Sequence, residues 1–473
     1  MAAALPPDPT RPAVTAGLAA FVAGWPAARI PQEARDKAAR CLFDTVACML
    51  AGAASEEAHP LTDFAASRGK GDAIVFGTAL RVDPATAALI NGTFGHALDY
   101  DDVLSIMPAH PSTVILPALF AMAPPGTSGA RLVDAYIIGV EVGARLGIAI
   151  TNGHYRRGWH ATGTLAIFSA VGGLGRLLSL DAELIARAFG IAASMSSGLQ
   201  CNFGTMVKPL HAGWAAHNAV TAVALARSGL TASETAFEAP GGFFSTYGVE
   251  QSDLARIMDG IGEPFAMISP GLALKKYPCC YALHRPIDAL IELRRRHAIS
   301  PDSVAQLVCR VAPGALRPLI HDRPTTGLEA KFSMDYTLAA GMLDGQFDLE
   351  AYGDRGPNRP GIADLYPRIS KIEDPRCYGD EGPASGRSAG TVGFVEVEIR
   401  LRDGTTDCVR IDRPTGSPGK DLTWDDLMAK FADCGREAGL DADAIDAART
   451  RFATLSDAPD IHAALKTLAR SDK

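Results

Sequence analysis

The sequence predicts a mainly α-helical protein with an α+β domain inserted into it, and three observations point that way. Through about residue 265, apolar residues recur at helical spacing in one segment after another, joined by short connections. The texture changes near Ser269-Pro270-Gly271, and the following stretch mixes helical segments with period-two alternation of β-branched residues. After Pro414, Gly416 and Pro418 the helical pattern returns. A helical domain made of residues 1–268 and 412–473, interrupted by an α+β domain over residues 269–411, accounts for all three. At 473 residues the chain also exceeds the size at which one core keeps growing.

Taken in order, Thr15 to Trp25 reads as an amphipathic helix. Pro31 opens a second that stops at Gly52, with proline at the start and glycine at the end. Asp83 caps a helix with Pro84 in its first turn, running to Asn91 and on into an acidic run. Pro111–Met122 and Leu132–Ile150 are apolar helices, the second apolar nearly all round and therefore buried. A turn at Gly158-Trp159-His160 leads into the helix Leu165–Leu178. Its Gly172, Gly173 and Gly175 follow no strand and open no helix, so they read as close helix packing and not as a dinucleotide loop. Asp181 caps a helix ending at Gly190, and Lys208-Pro209-Leu210-His211 leads into Ala212–Ser228. In the insertion, Pro286–His297 and Lys331–Leu343 are helical, Gln306–Ala312 is β-like, and residues 352–390 read as Gly/Pro/Asp-rich with exposed loop. Val392–Ile399, the Asp403-Gly404 turn and Cys408–Ile411 form a hairpin. Trp424–Glu437, Ala442–Phe452 and His462–Ala469 close the chain as helices that rejoin the first bundle.

Composition narrows the function classes. Hydrophobic residues make up 47% and charged residues 21%, the balance of a folded globular protein. The net charge of −8, with no basic cluster beyond Arg294-Arg295-Arg296, argues against a nucleic-acid partner. Nine scattered cysteines include no CxxC, so neither a zinc nor a thioredoxin-type site is expected, and free thiols fit a reducing cytoplasm. Met1 to Val14 lacks the basic start and apolar core of a signal peptide, and no apolar run has the length of a membrane span.

Polar clusters interrupt this Ala-, Gly- and Leu-rich chain. Asp99, Asp101 and Asp102 place three carboxylates in four residues, which is costly unless a cation, a ligand or water stabilises them. His110-Pro111-Ser112 follows, then His160, Lys208 with His211, Lys275 through His284, and Lys331 through Tyr336. Each lies at a turn or a helix start, where a side chain can face a cleft.

Several of these strings together resemble the MmgE/PrpD family, which includes 2-methylcitrate dehydratases, cis-aconitate decarboxylases and iminodisuccinate epimerases. They are Asn91-Gly92-Thr93 with His96 through Asp102, His110-Pro111-Ser112, Gly158-Trp159-His160 with Thr162-Gly163-Thr164, and Lys208 through Gly213. Lys276 through Cys280 with His284, and Lys331-Phe332-Ser333 with Tyr336, complete the set in matching order over nearly the whole chain. The resemblance implies a helical domain built from both chain ends, an α+β lid, a homodimer, a site in the cleft between domains, and no metal or organic cofactor. It also implies active-site positions at Asp99, His110, His160, Lys208, Lys275 and Tyr336.

The family's reactions begin at a carbon next to a carboxylate of a small polycarboxylate. Lys208 and Lys275 are suited to hold the anionic groups, with Cys280 and His284 beside Lys275 on the substrate-binding side. His160 or His110, with ordinary pKa values near 6.5, can serve as base or acid. Asp99 orients a histidine or acts as a base, Tyr336 offers a phenolic proton, Asp101 and Asp102 shape the loop, and His211 is a support. Dehydration, decarboxylation and epimerisation can all be run by this set. The decarboxylase branch carries Thr where this chain has Val103 and His where it has Cys280. The leading expectation is therefore a lyase of the 2-methylcitrate dehydratase kind, with decarboxylase, epimerase and a non-catalytic polycarboxylate-binding dimer as alternatives.

Overall fold

Asp83 accepts hydrogen bonds from the backbone amides of Ala85 and Thr86, both at 3.0 Å, and with Pro84 beside it starts the helix Pro84–Ala97 that ends at the acidic run. This helix lies at the centre of the bundle, against Gln32–Gly52, Ser112–Met122 and Val207–Arg227. It crosses Val207–Arg227 at a glycine pair. A Cβ on Gly213 would sit 2.0 Å from the Leu89 carbonyl oxygen, and one on Gly92 would sit 2.8 Å from Gly213 Cα. That close approach brings the start of one helix, with Lys208, to the end of the other, with His96.

The computed structural model describes residues 13–382 and 389–469. Most of the expectation for Met1 to Val14 therefore lies outside the described residues, as do residues 383–388 of the Gly/Pro-rich stretch. The fold is mainly α with a smaller α+β region. The first core is continuous from Val14 through Leu274 and takes in Leu422 to Leu468. Helix Trp424–Glu437 enters it by setting Phe431 4.7 Å, centroid to centroid, from Phe43 of Gln32–Gly52. A second core gathers residues from Tyr277 to Val409 around a four-stranded sheet.

The sheet order is Ile369–Glu373, Val304–Val311, Val395–Leu401, Thr406–Ile411. The outer pair on the hairpin side is antiparallel, with Val397 opposite Val409 around the Asp403-Gly404 turn, as the alternation predicts. Val304–Val311 is antiparallel to Val395–Leu401 and parallel to Ile369–Glu373, with Leu307 opposite Ile369. Ile369–Glu373 lies within the stretch read as Gly/Pro-rich with exposed loop. It pairs on one side only and is half-exposed, so the apolar signal of an inner strand is missing. Helix His284–Arg296 covers the sheet through Ile287, Leu290 and Leu293.

Several local expectations gain a different physical reason. Residue 52, the last of helix Gln32–Gly52, is glycine because a Cβ there would sit 1.9 Å from the Phe94 carbonyl oxygen, and it is not a left-handed stop, since the backbone stays helical into Ala53. Gly172 and Gly173 do serve close packing, against Val142 and Ile115. The long helix Gly129–Arg156 is interrupted at Thr151, whose φ is +65°, one residue beyond the expected end. The cysteines are free, and no helix among the described residues is long and apolar enough to cross a membrane.

Candidate active site

The end of Pro84–Ala97 is unusual. The residue that follows a C-cap is commonly a glycine in the left-handed region, and here Asp99 holds it with φ +49°. The exchange places a carboxylate where the chain reverses, turned into the protein and 2% exposed. Lys208, in the first turn of Val207–Arg227, donates to Asp99 Oδ1 at 2.6 Å. Lys275 Nζ lies 3.0 Å from the same oxygen and donates to the Asp99 backbone carbonyl at 2.8 Å. Two ammonium groups thus share one carboxylate. Burial opposes the ionised form of Asp99, but Lys208 and Lys275 outweigh it and hold the carboxyl well below its usual range. Lys275 follows a segment pinned beside the acidic run, where Val103 and Ala273 exchange backbone hydrogen bonds, each 2.9 Å.

His96, one turn before Asp99, was not singled out from the sequence, although it opens the acidic string. Its Nε2 accepts from Lys208 at 2.8 Å, so the ring proton resides on Nδ1 and is donated to Asp101 at 2.9 Å. Asp101 also accepts from Thr113 Oγ1 at 3.1 Å and lies 3.3 Å from His110 Nδ1. Its carboxylate therefore anchors two imidazoles, which is the loop-shaping role expected of it. Donor atoms of His96, Asp99, Asp101 and His110 all fall within 4.8 Å of one another, as do those of His96, His110 and His160. Lys208 sets its ammonium against two of these groups, His96 and Asp99. The expectation that the histidines titrate near 6.5 needs correcting: burial pushes His96 down to about 3 and lowers His110 and His160 as well, so all three are neutral at pH 7.

His160 precedes the short helix Ala161–Thr164 and donates its backbone N–H to the Gly198 carbonyl at 3.0 Å. Thr162 Oγ1 accepts the His110 amide at 3.2 Å, tying the two histidine segments together. Asp99, His110, His160, Lys208, Lys275 and Cys280 all line one pocket of about 570 Å³. Val103, Pro108, Phe203, Phe332 and Pro318 give it an apolar side. Cys280 is a thiol, since burial pushes it up to about 11.

Two candidates lie elsewhere. Tyr336 is fully buried in the second core, where its hydroxyl bonds the Ala351 carbonyl and accepts from Arg359 at 3.3 Å. Its phenol does not reach the pocket, because helix Met334–Leu343 turns that face toward Tyr352. His284 is also fully buried and does not line the pocket; its ring centroid lies 5.2 Å from those of Tyr277 and Tyr281. A buried cation on the far side was missed altogether. Lys430, from Trp424–Glu437, pairs with Asp44 at 2.6 Å and donates to the carbonyls of Tyr100, at 2.7 Å, and Lys275, at 2.9 Å. It braces both strands of chain that carry the catalytic candidates, and nothing local to residue 430 signals this.

Asp102 does not line the pocket and instead joins a buried network with Ser112 and Tyr136. Burial pushes its carboxyl up to about 8, so it is neutral at pH 7. A carboxyl whose folded pKa lies above the unfolded value contributes stability below that value and loses it as pH rises to the folded pKa. Stability relative to Asp102→Asn is therefore expected to fall from about pH 4 to about pH 8 and then level off. Urea midpoints of both proteins across that range measure it, and a constant difference would refute a neutral Asp102.

Residues 16–253 match the MmgE/PrpD N-terminal domain and residues 277–451 the MmgE/PrpD C-terminal domain. The cis-aconitate decarboxylase of Mus musculus is 27% identical over 435 residues, covering 88% of this chain and 86% of that protein. The cis-aconitate decarboxylase of Aspergillus terreus (strain NIH 2624 / FGSC A1156) is 27% identical over 433 residues, covering 85% of each.

Proposed function

Since this chain belongs to the MmgE/PrpD family, we propose that it is a lyase that decarboxylates a small unsaturated polycarboxylate of the cis-aconitate class. The observation that carries this reading is the pairing of Asp99 with two ammonium groups. A carboxylate held so far below its usual range is a poor base, so Asp99 does not supply the proton abstraction from carbon that dehydration requires and would leave it to a neutral histidine. Decarboxylation requires no such abstraction. Lys208 and Lys275 hold the carboxylates that stay, and the carboxylate that departs lies against Val103, Phe203 and Phe332. That apolar wall disfavours the anion and suits neutral carbon dioxide. As the carbon–carbon bond breaks, its electron pair enters the adjacent alkene and carboxylate, where the ammonium groups stabilise the charge. A proton delivered through His160 then completes the product. Lys208 already occupies His96 Nε2 and Asp99 Oδ1, two of the atoms that a metal at this cluster would need.

The relatives named cis-aconitate decarboxylase support this reading over dehydration. Val103 and Cys280 both line the pocket and favour a second reading, dehydration of 2-methylcitrate, because they remove polar groups the decarboxylase branch carries. Purified protein incubated with cis-aconitate in D2O is expected to release carbon dioxide and yield an alkene dicarboxylate carrying one deuterium on carbon. Dehydration of 2-methylcitrate without any carbon dioxide from cis-aconitate would move the assignment to the second reading, and racemisation of an imino-dicarboxylate would move it to an epimerase.

The homodimer is likewise a proposal. Leu199, Met206, Val207 and Trp214 are exposed apolar side chains on the loop and first turns of Val207–Arg227, and a second copy of the chain would cover them. Light scattering should give twice the chain mass, and Trp214→Glu should shift it toward one.

A further inference from the structure

His160 and His211 face each other through the same ring atom. Their Nδ1 nitrogens are 2.9 Å apart, and both rings are buried. Burial and the neighbouring Lys208 and His96 lower both rings, His211 to about 4. Neutral rings at this distance must share one proton between the two Nδ1 atoms. The ring that carries it is bare at its own Nε2, and the other carries a proton at Nε2. The two tautomers are therefore tied in opposition. His160 lines the pocket and His211 does not, although His211 keeps 8% exposure. Gly198, at φ +144°, wraps the pair: a Cβ there would sit 3.5 Å from both His160 Cβ and His211 Cγ.

We propose that His211 is a positioning residue that donates its Nδ1–H to His160 Nδ1, so that His160 presents an Nε2–H to the bound anion and passes it to carbon during turnover. This rests on the decarboxylation reading. A lone neutral imidazole is a very weak acid, because losing its proton leaves an imidazolate. The facing histidine removes that obstacle. The Nε2 proton of His160 goes to the carbanion, the Nδ1 proton of His211 crosses to His160, and Nε2 of His211 takes a proton from water. The hydroxide left combines with the released carbon dioxide as bicarbonate, which balances protons and charge. Exchange with water at both Nε2 atoms restores the starting tautomers after product leaves.

The test has two arms. In resting enzyme, 15N spectra of the ring nitrogens are expected to show two neutral histidines of opposite tautomer, with His160 protonated at Nε2. Two rings of one tautomer, or a charged ring at pH 7, would overturn the proposal whatever the substrate. In the kinetic arm, His211→Ala is expected to lower kcat by roughly 10²-fold and to leave KM within about twofold. Added imidazole should restore at least about tenfold of the loss, a rescue that a purely structural role does not give. His211→Asn, whose amide can donate to His160 but cannot relay, should restore the His160 tautomer without restoring kcat. A His211→Ala protein that keeps wild-type kcat, or loses it with a normal melting temperature and no imidazole rescue, would also overturn the relay. If wild type turns over no polycarboxylate, the decarboxylation reading fails and the spectra alone decide this one.

Discussion

Lys208→Met is expected to lower kcat/KM by roughly 10³-fold while leaving the protein folded. The side chain is buried, with its ammonium 2.6 Å from Asp99 Oδ1 and 2.8 Å from His96 Nε2, so it both neutralises the central carboxylate and fixes the His96 tautomer. Asp99 keeps Lys275 at 3.0 Å, so the substitution does not strand a buried charge without a partner. What disappears is one of two fixed positive charges on the pocket wall, in surroundings where burial strengthens every electrostatic contact. Lys208→Arg should not restore activity, since a planar guanidinium cannot take the position of a compact ammonium between two acceptors. Steady-state kinetics with a melting curve as control measure this, and a loss below about tenfold would remove Lys208 from the catalytic set.

Lys430→Met is expected to cost about 3–5 kcal/mol of stability, the range for removing one partner of a buried ion pair. Asp44 is fully buried, and Lys430 is the cation that opposes the upward push of burial on its carboxyl. The same ammonium donates to the Tyr100 and Lys275 carbonyls and lies 3.8 Å from the centre of the Tyr100 ring. Its loss therefore leaves a carboxylate and two carbonyls without their donor. Asp44→Asn combined with Lys430→Met should recover a substantial part of the loss, because no charge is then buried alone. Urea denaturation of the two single variants and the double variant tests this; additive effects would show that the pair is not coupled. Because Lys430 holds the carbonyls of Tyr100, next to Asp99, and of Lys275 itself, activity should fall along with stability.

The helical architecture was legible because its signals are local. The Asp83-Pro84 cap, the apolar periodicity and the Asp403-Gly404 turn each act over a few residues. The edge strand Ile369–Glu373 was not, because it is half-exposed and pairs on one side only, so it lacks the apolar signature of a buried strand. Among the candidate site residues, all polar and at turns or helix starts, Asp99, His110, His160, Lys208, Lys275 and Cys280 line one pocket. Tyr336 and His284 share that character and converge elsewhere. A buried tyrosine that satisfies its hydroxyl on a backbone carbonyl reads, residue by residue, the same as one that faces a cleft.

The sequence by itself determined the mainly helical class, the α+β stretch inserted into it, the family, and which polar residues are available for chemistry. Tertiary structure alone decided their charge states and partners. Asp99 is ionised because helix packing at Gly92 and Gly213 brings Lys208 to it, and Asp102, three residues away, is neutral because it is buried against Ser112 and Tyr136. The two are the same residue type on one short loop. Both are buried and desolvated alike, so what separates them is the distance to a cation, which does not exist until the chain has folded.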